Sequence, residues 1–277
     1  MKGMKRKKKV LIIQYTVLIL IAVLFAVPLL WLLQASLDLN AGPMIKFPEE
    51  PTIANYVNVL TDPENLLGFW NSFVISIGTS LITVASALLA SYPLSRYKLR
   101  GKSQFMYVIL FMTSLLINAI LVPVFKLFVN FGIQDSIFSI ILFMAATNLP
   151  YAIWMTKNFM DSVPVSLEEA AKVDGAGVLT ALWKIILPLM KPGIFTVLIY
   201  VFTGVWGNFF VPFILLQSRD KFPASVRIYQ YFQNSGFIEY GNLAAYSVIY
   251  MIPCVVLYAF AQKYMSKGFA LGGADKG

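Results

Sequence analysis

The chain has 277 residues, of which 58% are hydrophobic and 13% are charged. Soluble domains carry about 25% charged residues, so this chain cannot cover a water-exposed surface and is predicted to be a membrane protein. It has no histidine and a single cysteine, Cys254, which excludes an intrachain disulfide and a thiolate metal cluster and removes the commonest general base. We therefore expect no catalytic residue and no metal site.

Six apolar stretches are long enough to cross the hydrocarbon core of a bilayer, which needs about 20 helical residues. They are 10–33, 72–94, 104–125, 136–156, 193–216 and 243–261. The first follows a lysine-rich start, but its apolar run is too long for a signal peptide and no clear cleavage site follows before Asp38. The predicted fold is an all-α, polytopic membrane protein with six transmembrane helices.

Seventeen of the 22 Lys and Arg residues fall on one side of these spans. The other side holds Lys46, Lys126, Arg219, Lys221 and Arg227. Loops rich in basic residues stay in the cytoplasm, so both termini are predicted to be cytoplasmic. The net charge of +9 therefore reports topology in a lipid membrane, and we expect no nucleic-acid partner.

Three regions follow from this pattern. Residues 1–70 comprise the basic tail, the first span and an external loop in which Pro43, Pro48, Pro51 and Pro63 prevent regular helix. Residues 71–264 are expected to form a five-helix core with a cytoplasmic loop at about 158–191, and 265–277 a cytoplasmic tail.

Gly101-Lys102-Ser103 ends like a phosphate-binding loop. That motif requires a further glycine at position 96, where this chain has Arg96, and a preceding β-strand. The chain therefore has no phosphate cradle of its own, and any ATP has to be bound elsewhere.

The loop between the fourth and fifth spans contains a stretch rich in charged and small residues, from Ser166 to Pro188. Ser166, with Glu169 three residues later, predicts a capping box at the start of a short helix. Asp174-Gly175 predicts its end, because glycine adopts the left-handed conformation at little steric cost. A second short helix is expected to end near Pro188. Its apolar side carries Leu179, Leu182, Trp183 and Ile186.

Glu169-Ala170-Ala171, followed at fixed spacing by Gly175, Ile185 and Leu187-Pro188, resembles the EAA loop of ABC importer permeases. The run from Glu168 to Ala176 resembles the form of this loop in the carbohydrate-uptake, maltose-type branch. The elements 51–56, 71–72 and 262–277 are similar to the same branch. The resemblance therefore covers nearly the whole chain.

This resemblance implies the type I ABC importer permease fold and an ATP-driven, binding-protein-dependent importer of oligosaccharides in a bacterial or archaeal cell membrane. It implies a second homologous permease subunit, two ATP-binding subunits and an extracytoplasmic solute-binding protein as partners, with ATP and Mg²⁺ bound by the ATPase subunits and no cofactor in this chain.

The resemblance also implies that the EAA loop docks in a groove of the ATPase subunit. Within it, we expect Glu168 and Glu169 to accept hydrogen bonds from basic groups. Ala170 and Ala171 are expected to form the close-contact face, and Asp174-Gly175 the turn.

Polar and aromatic side chains in the spans are candidates for the translocation path: Asn118, Asn148, Tyr200, Trp206 and Asn208. Such groups bind neutral polar solutes such as sugars, but they also hold membrane helices together or lie at the membrane interface. Trp206 and Asn208 resemble a Trp-Asn element of the family, although Gly207 separates them here.

Two other classes of transporter stay open. A permease of the same fold could carry a polyamine or a sugar phosphate. A secondary transporter could work without ATP, but no Asp, Glu, Lys or Arg lies in the interior of the six spans, which argues against a proton-driven mechanism.

The partition of basic residues predicts the result of cysteine labelling in intact cells. With Cys254 replaced, single cysteines near Lys98, Lys172 and Lys267 should resist a membrane-impermeant thiol reagent, because the cytoplasm shields them. A cysteine near Glu50 should be labelled. Labelling of the Lys172 position from outside would contradict the assigned topology.

Overall fold

The computed structural model describes residues 2–48, 50–114, 116–233 and 238–273, and these ranges form helices and connecting loops without a strand. The helices are α1 (Lys2–Ser36), α2 (Ala54–Thr61), α3 (Pro63–Arg96), α4 (Lys102–Met112), α5 (Ile117–Asn130), α6 (Ile137–Asp161), α7 (Val165–Val173), α8 (Val178–Ala181), α9 (Leu187–Trp206), α10 (Phe210–Leu215), α11 (Ala224–Gln233) and α12 (Tyr240–Gly273). A π-helical turn, Leu182–Ile186, joins α8 to α9, and a 3-10 turn, Arg219–Lys221, precedes α11.

The chain divides into two compact units. One comprises the chain up to Leu66 together with Ile228–Ile252, and the other comprises Leu67–Arg227 with the chain from Pro253. The end of the predicted cytoplasmic tail, 274–277, lies outside the described residues, and α12 extends to Gly273.

In the described chain, five helices are long and apolar enough to cross a membrane, at Leu11–Ser36, Pro63–Arg96, Ile137–Asp161, Val178–Trp206 and Tyr240–Gln262. The predicted third span is not one helix. α4 and α5 meet at 88°. After Met112 the chain passes into tight turns, in which the N–H groups of Thr113 and Ser114 donate to the carbonyls of Leu110 and Phe111 at 3.2 and 3.0 Å. The described chain thus has five helices that are long enough to cross a membrane and one bent pair.

The fifth predicted span, 193–216, is also corrected. α9 ends at Trp206 with Gly207 as its C-cap, and the chain resumes helix only at Phe210. At its other end α9 continues from the π turn, so the second short helix does not end near Pro188. Pro188 lies in the first turn of α9, directly after the π turn.

The core of the larger unit is built mainly by α3, α6 and α9. Val197 and Val201 of α9 and Ala152 of α6 have no exposed surface. Small residues allow membrane helices to approach closely, and at Gly193 an added Cβ would lie 2.4 Å from the ring of Phe159. Close packing of α6 on α9 therefore depends on this glycine.

Side-chain bonds within the larger unit separate the helix ends into two groups. At one end, Ser95 donates to Asp161 at 2.6 Å. At the other, Asn71 donates to the carbonyl of Asp220 at 2.8 Å, and Lys221 pairs with Asp135 at 2.8 Å. These groups agree with the two membrane sides deduced from the basic residues.

In the smaller unit, Asn55 fixes the end of α1. Its side-chain amide donates to the carbonyls of Ser36 at 3.1 Å and Asp38 at 3.0 Å. Gly241 of α12 lies so close that an added Cβ would be 2.6 Å from this amide nitrogen. The Asn-Tyr element of the external loop is therefore part of the packing of this unit.

Replacement of Gly193 tests the packing of α6 on α9. Gly193→Ala should lower the free energy of unfolding by about 1–3 kcal/mol, the usual cost of overpacking a well-packed interior. Gly204→Ala on the same helix is the matched control, because nothing lies within 4 Å of its added Cβ. Thermal unfolding of the purified variants in detergent measures both effects, and equal melting temperatures would contradict this packing.

Candidate functional site

The loop between α6 and α9 places α7 at the surface of the larger unit. α7 starts at Val165 with Pro164 as its N-cap, so the predicted capping box is wrong: Ser166 lies inside the first turn, and no side chain caps the helix. Proline already supplies the backbone angle needed to enter a helix.

The end of α7 is as predicted. Gly175 has a φ of 83°, in the left-handed region that glycine tolerates best. The N–H of Ala176 donates to the carbonyl of Ala171 at 2.9 Å, and that of Gly175 to Lys172 at 3.0 Å. These two bonds form a Schellman motif, which fixes the direction in which the chain leaves α7.

Glu168 lies inside the protein and not on its surface. It is 2% exposed, and its Oε1 accepts a hydrogen bond from the Tyr92 hydroxyl at 2.6 Å. Its Oε2 accepts one from Arg96 Nε at 3.0 Å, and Lys172 Nζ lies 3.1 Å from Oε1. The expectation that Glu168 offers its carboxylate to a partner's basic groups is therefore corrected, because groups of its own chain occupy both oxygens.

The pair formed by Glu168 and Arg96 is almost completely shielded from water, with side-chain exposures of 3% and 4%. Burial raises the pKa of Glu168, but the hydrogen bond from Tyr92 and the positive charges of Lys172 and Arg96 outweigh it and hold the pKa below its ordinary value. The carboxylate is thus ionised at neutral pH. Removing one partner of such a buried pair typically costs about 3–5 kcal/mol.

The residues that follow Glu168 on α7 also differ in their exposure to solvent. Glu169 and Ala170 are exposed, whereas Ala171 is 6% exposed. The expected close-contact face of two alanines is therefore reduced to Ala170. Val173 is 88% exposed, so α7 presents a carboxylate, a small residue and an apolar residue to solvent.

The part of the loop that follows Gly175 differs from the predicted short helix with one apolar side. Leu182 and Ile186 are buried, whereas Leu179 and Trp183 are each 68% exposed. The four residues do not share one face, because the π turn from Leu182 to Ile186 has a different residue period from an α-helix. The loop thus exposes two large apolar side chains after α7.

Two candidates for the translocation path have structural roles in this chain. Trp206 is 2% exposed and packs on Phe73 and Phe202, with ring centroids 4.8 and 5.6 Å away. It does not line a path here, because these rings cover it. Asn208 accepts a hydrogen bond from the N–H of Val211 at 3.0 Å, at the start of α10.

The other three candidates are more accessible. Asn118 is exposed at the start of α5, and the half-buried Asn148 donates to the carbonyl of Met144 at 2.8 Å, one turn back. Tyr200 is 46% exposed. Of the two aromatic candidates, Tyr200 and Trp206, only Tyr200 therefore has ring surface that a solute could contact.

Tyr200 belongs to an aromatic trio that also contains Tyr151 and Trp154 of α6. The Tyr151 ring lies 4.6 Å from Tyr200 and 5.8 Å from Trp154, centroid to centroid. The sequence alone does not single out Tyr151 and Trp154. Their i,i+3 spacing places them on one helix face, but only the contact with α9 shows that they join Tyr200.

Comparison with known proteins gives a family match. Residues 82–270 match the sequence profile of the family described as "Binding-protein-dependent transport system inner membrane component". This region includes α7, the Glu168–Arg96 pair and the aromatic trio.

Individual relatives extend the match over most of the chain. The inner membrane ABC transporter permease protein YcjP of Escherichia coli is 30% identical over 82% of this chain and 81% of its own length. The maltodextrin transport system permease protein MalD of Streptococcus pneumoniae is 27% identical over 95% of this chain and 94% of its own.

Among solved structures, one chain of a bacterial ABC transporter involved in the import of the acidic polysaccharide alginate superposes with a TM-score of 0.79. It is 24% identical, and the superposition covers 94% of this chain and 98% of that chain. This likeness shows the shared fold.

Proposed function

Since this chain belongs to the family of binding-protein-dependent transport system inner membrane components, we propose that α7 docks on an ATPase subunit and that the transported solute is an oligosaccharide. The chain is a multi-pass permease subunit of an ABC transporter in the cell membrane and has no enzymatic activity itself. The ATPase subunits bind ATP and Mg²⁺ and hydrolyse the ATP.

The observation that carries the docking proposal is the geometry of α7. Its buried side is fixed by Glu168 and Ala171, and its end by the left-handed Gly175. The opposite side exposes Glu169, Ala170 and Val173. A carboxylate beside a small residue can pair with a basic group while the two backbones approach closely.

The remaining partners follow from the transport cycle of such an importer. A second, homologous permease subunit completes the path across the membrane, two ATPase subunits drive it, and an extracytoplasmic binding protein delivers the solute. Closure of the ATPase subunits on ATP moves their docking sites, and α7 carries that movement into the permease.

Two features support a neutral sugar as the solute. MalD of Streptococcus pneumoniae is named for maltodextrin transport. The aromatic trio, in turn, offers ring faces for stacking on a sugar. The hydroxyls of Tyr151 and Tyr200 lie within spans, where a polar group facing hydrocarbon would lack a partner, so a polar path suits them better than lipid.

Gly175→Val tests the docking role of the loop. Valine in the left-handed region costs more than the roughly 1–2 kcal/mol of an ordinary residue, so the turn should reorient and α7 should be misplaced. Abundance in the membrane should stay near normal, while association with the ATPase, or uptake per ATP hydrolysed, should fall. A pull-down of the ATPase and transport in the same membranes measure this.

Gly177→Val is the matched control in the same loop. Gly177 has a φ of −71°, which valine adopts readily, and nothing lies within 4 Å of its added Cβ. Association and uptake should therefore be normal. Normal association and normal uptake in Gly175→Val would mean that this loop is not the coupling element.

Tyr200→Ala tests the sugar path. Loss of one aromatic contact, worth about 0.5–1.5 kcal/mol, should reduce maltodextrin uptake by about two- to twelvefold at unchanged ATPase association. Tyr258→Ala is the control, because Tyr258 is a 63% exposed tyrosine in another span. Transport of a polyamine or a sugar phosphate in place of every neutral sugar offered would contradict the proposed solute class.

A further inference from the structure

The buried charge of Glu168 joins two elements that are far apart in sequence. Arg96 is the last residue of α3, and Glu168 lies in the first turn of α7. Their side chains meet at 3.0 Å with almost no exposure to water. Tyr92, one turn earlier on α3, donates to the second oxygen of the same carboxylate at 2.6 Å. Two side chains of α3 therefore hold one side chain of α7.

The same end of α3 also holds the segment that leads into α7. Arg96 Nη2 donates to the carbonyl of Val163 at 3.1 Å, and Ser95 donates to Asp161 at 2.6 Å. These two bonds hold the segment before α7 against α3. Within α7 itself, Glu168 makes the bond to α3. A displacement of α7 therefore has to break this buried pair or move the end of α3.

α3 continues from this end to the opposite side of the larger unit. Asn71 lies 25 residues before Arg96 (96 − 71) on this helix, which is about 38 Å along its axis. Near its other end, Asn71 donates to the carbonyl of Asp220 at 2.8 Å, and the Ser72 hydroxyl accepts from the N–H of Ala224 at 2.8 Å. One helix thus bonds α7 at one end and the external segment 220–224 at the other.

We infer that Glu168 is a positioning residue that ties α7 to α3, so that movement imposed on α7 is carried along α3 to the external segment 220–224. This inference rests on the proposed function, because it assumes that α7 is the element that the ATPase moves. Glu168 does not touch the ATPase; the neighbouring Glu169 faces outward and does.

The experiment uses the assembled transporter in membranes and three measurements: permease abundance, ATPase pull-down and sugar taken up per ATP hydrolysed. Glu168→Gln keeps the side-chain shape but removes the charge. We expect normal pull-down and a loss of uptake per ATP of about two- to thirtyfold, the range for residues that couple two sites. Glu169→Gln, the adjacent control, should instead weaken the pull-down.

A double variant separates positioning from stability. Replacing a buried ion pair by apolar residues of similar volume often preserves stability, so Glu168→Leu with Arg96→Met should restore abundance if Glu168→Gln lowers it. A restored abundance with uptake per ATP still reduced supports the positioning role. Recovery of both abundance and uptake per ATP would overturn it, because the pair would then serve stability alone.

Two further outcomes of the Glu168→Gln experiment would overturn the inference. Normal uptake per ATP in Glu168→Gln would overturn the inference while leaving the docking proposal intact. Loss of pull-down in Glu168→Gln to the extent seen in Glu169→Gln would overturn it as well, since the pair would then serve the docking of α7 on the ATPase and not the transmission of its movement. The docking proposal itself fails separately, through normal pull-down and normal uptake in Gly175→Val.

Discussion

The arrangement of the cytoplasmic face depends on one buried ion pair. A carboxylate removed from water is costly unless positive charge and hydrogen bonds compensate for it, and Glu168 obtains both from Arg96, Tyr92 and Lys172. Because α7 has to turn this residue inward, its rotation about its own axis is set. The exposure of Glu169 and Ala170 is a consequence of that rotation.

The C-terminal end of α7 adds a second constraint, which comes from backbone conformation and not from a side-chain bond. Gly175 reverses the chain in a left-handed conformation and leaves the loop free to continue through a π-helical turn into α9. The buried pair of Glu168 and Arg96 fixes the rotation of α7 about its axis, and Gly175 fixes where the helix ends. Together they present a short, well-defined helix whose outer side is free to bind another subunit.

The sequence was informative wherever the signal was local. Apolar length located the membrane segments, and the Asp-Gly pair located the end of α7. The start of α7 was missed, since Pro164 and not Ser166 forms its N-cap. Which of two adjacent glutamates points inward could not be deduced, because the deciding arginine lies 72 residues away in the chain. The break between α4 and α5 was missed because the two helices together are as apolar as one continuous span.

The roles of the candidate residues for the translocation path could not be deduced from the sequence either. Tyr200 and Trp206 look alike in sequence, yet Trp206 is enclosed by Phe73 and Phe202 while Tyr200 keeps nearly half of its surface. Composition alone cannot separate these roles, since the enclosing rings come from the fold. The distinction matters for function, because only an accessible ring can contact a solute.

Chemical cross-linking from Ala170 tests the central claim most directly. In the assembled transporter with Cys254 replaced, Ala170→Cys carrying a cysteine-to-amine cross-linker should give a covalent product with the ATPase subunit. Lys46→Cys, in the external loop, should give none. A transporter that retains uptake but yields no ATPase product from position 170, or an equal product from position 46, would contradict the account.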